Sequence, residues 1–212
     1  MFREITQELK HHAPFTALGT LSGIAIMIAI LVAHVPRSFS DTLFWISHPG
    51  HVLLSALVTT ALYRRKTAAG FVAACIIGYI GSVGITTLSD SVIPFVGEWL
   101  LDMPHKGAHI GFIEKWWLVN PIAIIGIMIG YAWPRTHIPH AGHVLLSTWA
   151  SLFHMTMASA DKLMTVQLIM IPVFLFLAVW IPCCTSDIVF PMLFVRGGDK
   201  RGSRACGSPV RK

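Results

Sequence analysis

Six times along the chain the sequence returns to a predominantly apolar stretch, near residues 15–35, 47–63, 68–88, 117–133, 141–158 and 163–183. A helix rises about 1.5 Å per residue, so about 20 such residues cross the hydrocarbon core of a bilayer. Composition agrees: 54% of the 212 residues are hydrophobic and only 12% are charged, too few polar side chains to cover a water-soluble body of this size. The expected fold class is an all-α integral membrane protein with six transmembrane helices, the lipid bilayer being its first partner. The first stretch has the charged start of a signal peptide, but its apolar run is too long and lacks a small-residue cleavage site, so residues 1–35 are read as part of the mature chain.

Basic residues set the expected orientation. With six spans the two termini share a side, which collects Arg3, Lys10, Arg64, Arg65, Lys66, Arg135 and the six basic residues from Arg196 to Lys212, 12 of the 16 in the chain. Only Arg37, Lys106, Lys115 and Lys162 fall on the other side. The positive-inside rule then places both termini in the cytoplasm of a multi-pass cell-membrane protein. The net charge of +6 is thus mainly a topology signal. The Gly- and Ser-rich segment 196–212 reads as a disordered basic tail rather than a nucleic-acid-binding face, and no nucleic-acid partner is expected.

Laid against itself, the chain repeats. Residues 48–56 (HPGHVLLSA) and 140–148 (HAGHVLLST) agree at seven of nine positions. The pattern SDxVxP occurs at Ser89–Pro94 and again at Ser186–Pro191, Pro36-Arg37 is mirrored by Pro134-Arg135, and His12-Ala13-Pro14-Phe15 by His109-Ile110-Gly111-Phe112. A single domain over 1–212 is expected, with repeat 1 over about 12–95 and repeat 2 over about 109–195. An odd number of spans per repeat turns the second copy over, so these are expected to be two inverted three-helix repeats, an arrangement common among transporters.

The repeated residues carry the candidate chemistry. His48 and His51, like His140 and His143, are three apart and share a helix face. If HxGH opens a helix, the positive helix terminus keeps these imidazoles neutral, the form that ligates metal; the plainer reading is a pair of interfacial histidines followed by packing residues. Asp90 and Asp187 are carboxylates beside apolar spans, where ionisable groups are costly and tend to mark a pathway or site. A helical Pro94 cannot bond the carbonyl four residues earlier, that of Asp90, although Ser89 and Ser186 could instead cap short helices.

The expected topology puts His48, His51, Asp90 and His109 at one membrane level and His140, His143, Asp187 and His12 at the other. Each group would offer three imidazoles and one carboxylate to zinc, iron, cobalt, nickel or manganese. A competing geometry brings both sets to one midplane site. The expected function is a transporter or permease for a divalent transition metal. An intramembrane metal-dependent hydrolase or oxidoreductase, using a site of three histidines and one aspartate, is one alternative, and a proton-coupled carrier of a small solute another. The cysteines form no CxxC pair, and no nucleophile elbow, phosphate loop or haem-attachment motif is present.

Overall fold

A computed structural model describes residues 2–67, 70–134, 137–159, 165–184 and 190, with side chains described except at 2–12, 66, 137–141, 165, 183 and 184. Every element among the described residues is helical. In order these are α1 (Phe2–Val32), α2 (Arg37–Lys66), α3 (Phe71–Thr87), a π turn (Leu88–Val92), α4 (Ile93–Leu100), the short α5 (Gly111–Glu114), α6 (Trp116–Ala132), α7 (His137–Ala158) and α8 (Thr165–Cys184). Two helices are long and apolar enough to cross a membrane, Ala13–Val32 and the continuous Phe71–Leu100, while Trp116–Ala132 and Val166–Pro182 are apolar but shorter.

Several helices outrun the apolar stretches that mark them. Hydropathy reports only the part of a helix that avoids water, whereas the backbone ladder continues wherever no residue breaks it. α1 runs through Pro14 and stops at Val32, where His34 takes a left-handed φ of 49°. The His34 N–H donates to the Leu31 carbonyl at 3.3 Å and the Val35 N–H to the Ile30 carbonyl at 3.1 Å, the paired bonds of a Schellman cap, and Pro36 prevents continuation. α2 then begins at Arg37 rather than near residue 47, so the HPGH element lies well inside it and Pro49 is an interior helix residue. For this first copy that corrects the expectation that HxGH opens a helix, and removes the helix terminus as a cause of neutral imidazoles there; the second copy lies in the opening turns of α7, which begins at His137. The third apolar stretch likewise continues beyond its π turn as α4, through the PFVGEWLL segment.

α2 is the hub, packing on α3, α6 and α7; α7 packs in turn on α1 and α8, with α1 against α8 and α3 against α6. Glycines permit the closest approaches. A Cβ at Gly126 would strike the Leu53 carbonyl and the Ala56 methyl, and one at Gly130 would strike the Leu57 carbonyl, so this GxxxG pair lays α6 directly on the α2 backbone. The bundle buries polar as well as apolar side chains and leaves large apolar ones exposed. Leu18, Leu21, Val72, Ile76 and Ile169 face outward, while Ser55, Thr59, Ser82, Thr86 and Ser147 are buried between helices.

Candidate functional site

The site is built around the π turn. Ile93 donates its N–H to the Leu88 carbonyl, five residues back, and the wider turn shifts the register by one. Pro94, lacking an amide hydrogen, therefore withholds a bond from Ser89 rather than from Asp90. The Ser89 carbonyl instead accepts from Ser151 Oγ of α7 at 3.0 Å. The expected freed carbonyl is that of Asp90 itself; the π register moves it one residue earlier, to Ser89.

Asp90, on the inner face of this turn, is fully buried. His48 Nδ1 lies 2.9 Å from its Oδ2, and His51 Nδ1 lies 2.8 Å from Oδ2 and 3.1 Å from Oδ1. Ser89 Oγ donates to Oδ1 at 2.6 Å and Ser147 Oγ, from α7, donates to the same oxygen at 3.1 Å. Four side chains from three helical segments thus satisfy one carboxylate, the condition for keeping such a group in a dry interior. An ionised carboxylate only accepts, so toward it each imidazole donates through Nδ1, and a neutral ring so placed carries its lone pair on Nε2. A histidine oriented in this way by a carboxylate presents its other nitrogen to a ligand in metal sites. Here His48 Nε2 has no hydrogen-bond partner and faces Gly111, where a Cβ would collide with it.

His143 joins this cluster. Its ring lies 5.7 Å from that of His51 at an interplanar angle of 12°, so the second HxGH element meets the first face to face. The two glycines of the elements make matching contacts: a Cβ at Gly50 would stand 3.2 Å from Leu146 Cδ1, and one at Gly142 would stand 3.1 Å from Leu54 Cδ1. Separate levels for His51 and His143 are therefore corrected to one central cluster. The reason is that the first HxGH element lies deep inside α2 rather than at its start, where α2 meets the opening turns of α7 on the glycines of both elements. His12 and His140 lie on described helix backbone, but their side chains are outside the described residues, and Asp187 lies outside them altogether.

His109 sits at the edge. Its carbonyl accepts from Ser91 Oγ at 2.5 Å, but its Nδ1 lies 3.3 Å from Glu114 and not on Asp90. Phe44 separates it from the cluster, stacking on His48 at 5.3 Å and on His154 at 5.4 Å. His154 is buried; its Nε2 donates to the Gly107 carbonyl at 2.8 Å and stands 3.8 Å from the buried Glu98, which accepts the Gly107 N–H at 3.1 Å. Sequence reasoning missed Ser147, Ser151, His154, Glu98 and Phe44. Only Ser147 carried a signal, as the serine that ends both HxGHVLLS copies.

Among the described residues no three His, Cys, Asp or Glu side chains are disposed as a metal-ligand set. His48, His51 and Asp90 approach one another as hydrogen-bonded pairs. Comparison with protein-family models, with curated proteins and with solved structures finds no match for this chain.

Proposed function

We propose that the chain is a membrane carrier of two inverted three-helix repeats, six spans in all, with both termini in the cytoplasm, and that its cargo is a divalent transition-metal ion handled at the buried His/Asp cluster. The observation that carries this reading is the mutual contact of the two repeated elements: Gly50 on Leu146, Gly142 on Leu54, and His51 stacked on His143. Contacts that exchange equivalent residues are those of an approximate two-fold axis. The helix packing supports the same exchange, since α2 on α6 is matched by α7 on α1, α2 on α3 by α7 on α8, and α3 on α6 by α8 on α1. Carriers of inverted repeats bind their cargo where the repeats meet. Outward apolar side chains and the exposed Trp116 and Trp133 at the two ends of α6 support lipid surroundings.

The imidazoles supply the chemistry. Neutral histidine is a ligand for zinc, iron, cobalt, nickel and manganese, and Asp90 would both orient His48 and His51 and offset the ion's charge. Flux of these ions across proteoliposomes tests it. The wild type should transport at least one of them, and His51→Ala and His143→Ala should each lose about tenfold or more, because one axis-centred site needs both. Full transport by both folded variants would refute the proposal. Loss in only one of them together with hydrolytic or redox activity would favour an enzyme.

One observation favours a second reading, proton-coupled transport of a small solute. His143, His51, Asp90 and His48 form an unbroken series of titratable side chains in contact. Acidification of the vesicle lumen driven by a pH gradient, without metal and lost in Asp90→Asn, would select it.

A further inference from the structure

Away from this cluster, a cavity of about 310 Å³ opens between the α1–α2 connection and the end of α7. Its walls are of two kinds. Ile30 and Leu31 form an apolar side, and His34, Arg37, Ser40 and Thr156 a polar one. Arg37 is exposed and makes no ion pair, either with Asp41 one turn on or with any other described residue. Glu98, near enough for the charge of Arg37 to act on it, is buried and already accepts the Gly107 N–H.

The same cavity lies at the amino end of α2, a helix of 30 residues whose N-cap is Pro36, with no side-chain cap and no acid in the first turn. The Phe39 N–H donates to the Pro36 carbonyl at 2.9 Å, which leaves the Arg37 and Ser38 amides at the start of the helix without intrahelical acceptors and with positive partial charge. An independent feature points the same way. Ser40 is only 2% exposed and lines the cavity, and among the described residues its hydroxyl has no hydrogen-bond partner. Buried hydroxyls are ordinarily paired, so this one is placed for a group that enters from the cavity.

We propose that this cavity binds a phosphate-type anion, held by the Arg37 guanidinium, the Ser40 hydroxyl and the amino end of α2. Arg is suited to two parallel bonds with phosphate oxygens, and a hydroxyl supplies a further donor. The anion has two possible sources, the headgroup of an acidic phospholipid, whose chains would lie along Ile30 and Leu31, or free phosphate.

Native mass spectrometry of the full chain, released from nanodiscs of equal phosphatidylglycerol and phosphatidylcholine, tests the lipid source; calorimetric titration of the delipidated protein with inorganic phosphate tests the free one. Retained phosphatidylglycerol, reduced about tenfold in Arg37→Gln and several-fold in Ser40→Ala, supports the site with lipid as occupant. Saturable phosphate binding lost in the same variants supports it with free phosphate. Arg37→Lys should keep part of either signal, which a merely misfolded variant would not. Absence of both signals in the wild type, or equal binding by Arg37→Gln and the wild type, overturns the proposal.

Discussion

At the residue scale, Asp90 organises its surroundings because it has nowhere else to find donors. Buried carboxylates persist only when hydrogen-bonded, and this one draws His48, His51, Ser89 and Ser147 onto two oxygens. The arrangement depends on an absent side chain. At Gly111 a Cβ would collide with His48 Nε2 and stand 2.6 Å from its Cδ2, so Gly111→Ala should push the ring off Asp90 and cost about 1–3 kcal/mol, the penalty of an unmade buried bond. Gly84→Ala is the internal control: nothing lies within 4 Å of a Cβ there, and a helix-interior alanine should stabilise by about 0.5–1 kcal/mol. Thermal unfolding in one detergent should move the two variants in opposite directions. Equal shifts would mean that the His48–Gly111 contact does not constrain the site.

At the element scale, proximity between helices rests on small residues. Gly126 and Gly130 bring α6 against the Leu53 and Leu57 carbonyls of α2, and in the membrane setting proposed for this bundle such close packing replaces the hydrophobic effect as the cohesive force. Gly126→Leu or Gly130→Leu should separate the two helices and lower the thermal midpoint well beyond the change caused by Ile129→Leu, whose side chain is exposed. A midpoint unchanged in both glycine variants would show that α6 is not held there. The π turn is the other element-scale device. By shifting the register it aims Asp90 inward and turns the Ser89 carbonyl toward Ser151, so α7 is bonded to the turn through both Ser147 and Ser151.

At the scale of the whole molecule, the large apolar side chains left exposed and the membrane setting proposed for them make orientation the property to measure. The proposed topology puts Cys206 in the cytoplasm and the connection after α4 outside. With Cys75, Cys183 and Cys184 replaced, a membrane-impermeant maleimide should label Cys206 only in inverted vesicles, and a Gly107→Cys variant lacking Cys206 only in intact cells. Labelling of Cys206 from intact cells would reverse the assignment.

What could be read without tertiary structure follows from where each signal resides. Long apolar runs state which segments avoid water, and the recurrence of HxGHVLLS and SDxVxP singles out His48, His51 and Asp90, which do meet. Those are properties of order along the chain. Where His143 goes is not, because the depth at which α2 and α7 cross is decided by Gly50 and Gly142 fitting against leucines of the opposite helix. Nor could spacing alone reveal that Ser147 reaches Asp90, that Phe44 stands between the cluster and His109, or that a π turn reassigns the freed carbonyl to Ser89. Each depends on the packing of side chains far apart in sequence, and hydropathy and local pattern carry no information about that distance.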